Sequence, residues 1–264
     1  MSIATLLIRT SGPLQSWGIN GRFSVRDAGN EPSHCGIAGL FGCASGARRD
    51  DVRIVTKFNQ CRIGVRADRP GSLLHDYHTT GVGKMMTWGD REKKQHKLPQ
   101  MDGGHSGKQV VADLYYLSDA SFLVGIEGDP ALLSALEQAL LHPVWPLYLG
   151  RKGCVPSEPI TLPGGGLRDL PLEEALLSYP WLIREKEHLL GLDDPRRAYL
   201  KATYNGPIRF IVTDPKGDFV RQDVITNFAT RERRTRRVRE FYKNIPSEEQ
   251  HAQEGEQQPC SSAK

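Results

Sequence analysis

The chain has 264 residues, 38% of them hydrophobic, and its 35 Lys+Arg against 31 Asp+Glu leave a formal charge of only +4. Such a composition can bury a real core, which excludes a chain disordered throughout, and it confines any nucleic-acid role to local basic patches. No apolar run reaches the ~18 residues of a membrane span, and "MSIATLLIRTSG" lacks the basic start and long apolar stretch of a signal peptide, so a cytoplasmic protein without membrane partners is expected.

Ile3–Arg9 reads as a strand that Gly12-Pro13 should end, and "SGPLQSWG" then places Gln15, Ser16 and Trp17 in a turn. Ser33 is a candidate N-cap for a helix carrying Ile37, Leu40, Phe41 and Ala44. Gly36, Gly39 and Gly42 weaken that helix by up to ~1 kcal/mol each. They lie three apart, in a smooth stripe suited to close packing on a sheet. "CRIGVRA", residues 61–67, alternates: Cys61, Ile63, Val65 and Ala67 face a core, and Arg62, Gly64 and Arg66 face the other way. That second face is either solvated or presented to a ligand whose backbone approaches Gly64.

An insertion from about 79 to 109 carries six cationic residues, including Lys84 and Lys108, against three acidic ones, with six glycines and Trp88. Flanked by strands, it is expected to project as a hairpin. "VADLYYLSDASFLVGIEG" reads as two strands around Ser118-Asp119-Ala120. Asp129-Pro130 starts a helix with Leu132, Leu133, Leu136 and Leu140 on its buried stripe, and "WPLYLGRKGC" is a candidate further strand. From Pro156 onward a smaller, mostly β region should hold a short helix near Leu172–Leu177 and the strand "PIRFIVTD". "RERRTRRVR", 231–239, has six arginines between apolar segments, and 246–264 is expected to be a disordered tail.

Two helices on one face of an antiparallel sheet is the ferredoxin-like arrangement, an α+β fold whose free sheet face commonly meets RNA. The expected organisation is 1–155 as this domain with its hairpin, then 156–245, then the tail.

Few motifs support chemistry. "HDYH", 75–78, could serve acid–base catalysis, with His75, Tyr77, His78 and Lys84 activating a ribose hydroxyl without metal; otherwise these side chains bind nucleic acid or one another. The five cysteines form no CxxC pair and the histidines lack metal-site spacing, so no metal is expected; Cys35, Cys43 and Cys61 are expected in the core. "GGHSGKQ", 103–109, misses the Walker spacing at Asp102 and Gln109, and "PGGGLRD", 163–169, is not a dinucleotide fingerprint. No cofactor is implied. Nucleic-acid binding without evident chemistry remains, on the Arg62/Arg66 face, the insertion, the "GRKG" turn with Arg151 and Lys152, and the arginine run.

"LLIRTSGPLQSWG", "RFSVRDAGNEPSHCGIAGLFGCASG", "GVRADRPGSLLHDYHTT", "YYLSDASFLVGIEG" and "HPVWPLYLGRKGCVPSEPI" occur in that order over residues 3–245. In this the chain resembles the CasD family, five-class Cas proteins of the RAMP superfamily and subunits of the type I-E CRISPR complex Cascade. The resemblance implies a ferredoxin-like fold with a thumb hairpin. It also implies one copy per complex, holding the 5′ handle of the CRISPR RNA, capping the backbone filament, adjoining the large PAM-reading subunit and lying near the PAM-proximal target DNA. Such proteins bind rather than cut RNA, whereas the type I-C relatives process the repeat themselves. Carried over by position, the RNA surface would comprise Gln15, Ser16, Trp17, Arg22, Arg26, the turn Ser33-His34-Cys35-Gly36, Tyr77, His78, Lys84 and Lys108. Where the family usually has Thr-Lys-Ser-Gly in that turn, His34 replaces the lysine, which points to backbone N–H groups at the helix start as the phosphate contact. Trp17 either stacks on a base or anchors its loop, the second being favoured, with Gln15 and Ser16 as the contacts.

Overall fold

A computed structural model describes residues 3–19, 21–22, 24–80, 98–99, 105–106, 110–182 and 206–245. Its elements are β1 (Ala4–Gln15), β2 (Gly21–Arg22), β3 (Val25–Arg26), α1 (His34–Ala44), α2 (Arg53–Phe58), β4 (Arg62–Arg69), β5 (Ser72–Thr80), β6 (Leu98–Pro99), β7 (His105–Ser106), β8 (Val110–Gly128), α3 (Pro130–Leu141), β9 (Leu167–Arg168), α4 (Leu172–Ser178), β10 (Ile208–Thr213), β11 (Phe219–Asn227) and β12 (Glu232–Lys243). The chain is α+β. The path β4–β8–β1–β9 is antiparallel throughout, with α1 and α3 as crossovers, which is the strand order of a ferredoxin-like unit. β10 then pairs with β4, and β12 and β11 follow, so the C-terminal strands extend the same sheet.

The sheet is covered on both faces, which is why its central strands are continuous apolar runs. Leu6 and Ile8 of β1, Ile63 and Val65 of β4 and Phe122, Val124 and Ile126 of β8 pack with α1, α2 and α3. Leu7, Leu123, Phe210 and Val212 pack on the opposite side against Leu172 and Leu176 of α4, with Trp181 and Leu182. Gly64 and Gly125 are opposite one another in the register, and a Cβ on either would lie 2.7 Å from Leu176 or Leu172. The two glycines form a dent in which α4 seats.

Three local expectations change. β1 runs through Gly12-Pro13 to Gln15, because Pro13 faces the kink at Asp119, where φ is +55°, and need not donate a ladder hydrogen bond. β8 is one 19-residue strand rather than two. It bends at Asp119, pairing with β5 up to Ser118 and with β4 from Ser121. Residues 144–155 form a turn-rich loop rather than a strand, fixed by Val144 N–H to Ala44 O at 2.9 Å and Leu149 N–H to Cys154 O at 2.7 Å. No helix among the described residues is long and apolar enough to cross a membrane.

Candidate nucleic-acid interface

The sheet face expected to meet RNA is closed. Arg66 is fully buried and forms a bidentate pair with Asp68, at 2.5 and 2.8 Å. It also donates to the carbonyls of Leu176, Tyr179 and Pro180 at 2.6, 2.6 and 2.8 Å, which caps the C-terminus of α4. At the other end of α4, Glu127 accepts from Leu172 N–H at 2.8 Å. Arg62 pairs with that same Glu127 at 2.8 Å and with Glu173 at 2.9 Å. Arg62 and Arg66 therefore hold α4 on the sheet, and the reading of Gly64 as a ligand approach gives way to helix packing.

The "PLQSWG" contacts are internal as well. Gln15 is fully buried, its amide donates to Thr10 O at 3.1 Å and Ala120 O at 2.8 Å, and its oxygen accepts from Trp17 Nε1 at 2.9 Å. Ser16 is buried and donates to Tyr115 O at 3.2 Å. Trp17 is buried with its ring against Gly36, where a Cβ would lie 2.6 Å from ring carbon Cε3, so the indole anchors the loop. Gln15 is corrected from a ligand contact to an internal strut, and the Ser16 hydroxyl is engaged by Tyr115 O.

The start of α1 is also occupied. Ser33 caps it, accepting from Gly36 N–H at 3.2 Å. His34 N–H donates to Asp223 at 2.8 Å, and Asp223 is paired with Arg236 at 2.8 Å. A carboxylate of the chain thus sits where a phosphate was expected. The His34 side chain points inward, edge-on to Phe58, its centroid 5.1 Å away and its Nδ1 buried without a partner among the described residues. Burial, with help from Arg236, pushes its pKa down to about 4.

An open cleft does exist beside this. It has a volume of about 630 Å³ and runs along α1, with the glycine stripe as its floor. The stripe does not pack on the sheet: an added Cβ at Gly39 would touch only Phe228, at 3.7 Å, and at Gly42 it would meet nothing within 4 Å. One wall is the loop carrying Trp145, Tyr148, Gly150 and Lys152; the other is the β11–β12 hairpin, with Ile225 and Arg233 on its strands and Phe228 and Arg231 in its turn. Arg48 and Arg49 close the end beyond the C-terminus of α1. Five cations line the cleft against one acid, Asp51, whose charge Arg53 balances at 2.6 Å, holding the carboxyl near pKa 2. Cys35 and Cys43 are half-buried in the lining rather than in the core. Burial raises the Cys61 thiol to about 11, as expected of a core cysteine.

In the arginine run, Arg236, Arg237 and Arg239 are spent on Asp223, Gly217 O and Asp214, and Arg234 does not line the cleft; Arg231 and Arg233 do, Arg233 also donating to Ile19 O at 2.6 Å. Of the sequence-derived residues, Ser16, Trp17, Ser33, Gly36 and Lys152 meet there. Arg26 is exposed on β3 and Arg22 lies on β2. Arg151 donates to Arg26 O at 2.8 Å and covers the Tyr116 ring at 4.6 Å. Arg48, Arg49, Trp145, Tyr148 and Phe228 were missed; "GARRD" directly after the glycine-rich helix and the ring-rich "VWPLY" were the available signals.

"HDYH" lies on β5, so His75 and Tyr77 face one way and Asp76 and His78 the other. His75 Nε2 is 2.7 Å from Asp113, and its ring stacks on Tyr115 at 4.7 Å. The two histidines therefore do not converge on one reacting atom. Lys84 and Lys108 lie outside the described residues.

Comparison with known proteins follows the same direction. Residues 5–239 match the family model described as CRISPR-associated protein (Cas_Cas5). The chain is 31% identical over 186 residues to the CRISPR system Cascade subunit CasD of Escherichia coli strain K12, covering 66% of this chain and 76% of that one. A solved Cas protein superposes with a TM-score of 0.62 at 35% identity, covering 92% of this chain and 96% of the other. A chain of a CRISPR RNA-guided surveillance complex superposes with a TM-score of 0.64 at 28% identity, covering 92% of each.

Proposed function

This chain belongs to the CRISPR-associated Cas5 family and is a CasD-type Cascade subunit, and from that premise we propose that it binds guide RNA without cutting it, holding the single-stranded 5′ handle in the cleft along α1. The carrying observation is the cleft itself: a helix floor left open at Gly39 and Gly42, with five cations around it. A backbone can lie close to such a floor while phosphates meet guanidinium and ammonium groups. The subunit caps the backbone filament, as one copy beside the large subunit, near the PAM-proximal target DNA.

The competing reading, a metal-independent ribonuclease at 75–78, draws on the His75–Asp113 pair, which orients an imidazole. The divergence of His75 and His78 across β5 weighs against it. The test is binding and cleavage of repeat RNA by the purified chain in EDTA. Intact RNA is expected, with affinity falling roughly tenfold or more for Arg49→Glu and a shallower salt dependence. Site-specific cutting would overturn the non-catalytic reading; unchanged affinity for both Arg49→Glu and Lys152→Glu would overturn the cleft.

A further inference from the structure

Trp145 is 44% exposed, although an indole is among the side chains most favoured for burial. It sits between Pro143 and Pro146, each with φ fixed by its ring. Its neighbour Val144 is tied to the end of α1, by the 2.9 Å hydrogen bond to Ala44 O and by its side chain lying over Gly46. The ring is thus presented by a stiff support at the mouth of the cleft. Arg48, in a solvent-exposed pair with Asp50 at 3.4 Å, and Arg49 follow the same end of α1 in sequence, so an aromatic face and two guanidinium groups share one end of the groove.

Resting on the cleft reading above, we propose that Trp145 is a stacking platform for one unpaired base of the bound RNA, with Arg48 and Arg49 taking the adjacent phosphates. A flat apolar ring beside cations is the recurring design for a single-stranded nucleic acid. Of the other tryptophans among the described residues, Trp17 is buried against Gly36 and Trp181 is buried in the core under α4, so neither can serve. Stacking is short-ranged and uncharged, so its loss should leave the salt dependence of binding unchanged, unlike loss of Arg49.

The experiment measures full-chain affinity for a single-stranded RNA bearing the repeat-derived 5′ end of the guide, alongside the same RNA with one base removed at each position in turn. Trp145→Ala should weaken binding roughly 5- to 100-fold with the same salt slope, and Trp145→Phe should retain most of the affinity. At one position, base removal should cost the wild type that same factor and cost Trp145→Ala almost nothing. If Trp145→Ala binds normally while Arg49→Glu is impaired, stacking is overturned and the cleft stands. If Trp145→Ala, Arg49→Glu and Lys152→Glu all bind normally, stacking and the cleft are both overturned. A loss in Trp145→Ala that adds in full to base removal at every position would also overturn stacking, since the ring would then act only on the shape of the loop.

Discussion

Arg66 reverses a reading that looked sound from alternation alone. Two arginines flanking a glycine on a strand face resemble a ligand surface, but the guanidinium is fully buried and satisfied by a carboxylate and three helix-end carbonyls. Replacing Arg66 by Met would leave Asp68 buried and those carbonyls unanswered. A cost of about 3–5 kcal/mol is expected in urea unfolding, with little specific effect on RNA contacts in whatever remains folded. His34 supplies a second residue-scale prediction. Its folded pKa of about 4 lies below the ordinary 6.5, so the unfolded chain takes up the proton first. Its contribution is complete above pH 6.5, declines as pH falls, and is lost as pH passes through about 4, for a total of roughly 3–4 kcal/mol at ~1.4 kcal/mol per unit. Burial pushes the Asp223 carboxyl up, but the bonds and charge of Arg236 together with the His34 N–H hold it below its ordinary value, so it weakens the fold only at still lower pH. His34→Phe should flatten the slope of stability between pH 6.5 and 4; an unchanged slope would assign it to another group.

At the scale of elements, α1 carries glycines with opposite roles. Gly36 makes room for Trp17, and an added methyl would collide with a buried ring. Gly42 makes room for nothing within the chain. Gly36→Ala should therefore destabilise, and Gly42→Ala should stabilise by about 0.5–1 kcal/mol through helix propensity alone. If the floor of the cleft carries RNA, Gly42→Ala should at the same time weaken binding, a gain and a loss that thermal melts and RNA titration separate. This also shows what was legible in the sequence. The helix at Ser33 and the Asp129-Pro130 cap were readable because caps and periodicity are local signals. So was the core face of β4. Which side of α1 is open, and that α4 would return to cover β4 and β8, depend on contacts between residues more than 100 positions apart, such as Arg66 to Leu176. For the same reason, Gln15 reads as a polar loop residue until Ala120 O comes within 2.8 Å of it.

Over the whole molecule, the two cores share one sheet. Leu7 and Leu123 point into the layer closed by α4, while Leu6, Ile8 and Val124, on the same strands, point into the layer closed by α1 and α3. Ile225 of β11 belongs to the second of these layers, and Asp223 of the same strand holds the start of α1. Residues late in the chain thus complete both layers. A chain ending at residue 155 would expose Leu7 and Leu123, strand Arg66 and Asp68 without the α4 carbonyls, and leave β4 as a bare sheet edge. Such a fragment should fail to fold as an independent unit. The intact chain should unfold in one cooperative step, with far-UV dichroism, which reports backbone throughout, coinciding with fluorescence from Trp17 on the α1 side and Trp181 on the α4 side. Two separated transitions, or a soluble fragment 1–155 with a cooperative melt, would show that the faces fold apart and that α4 covers the sheet only as an appended layer.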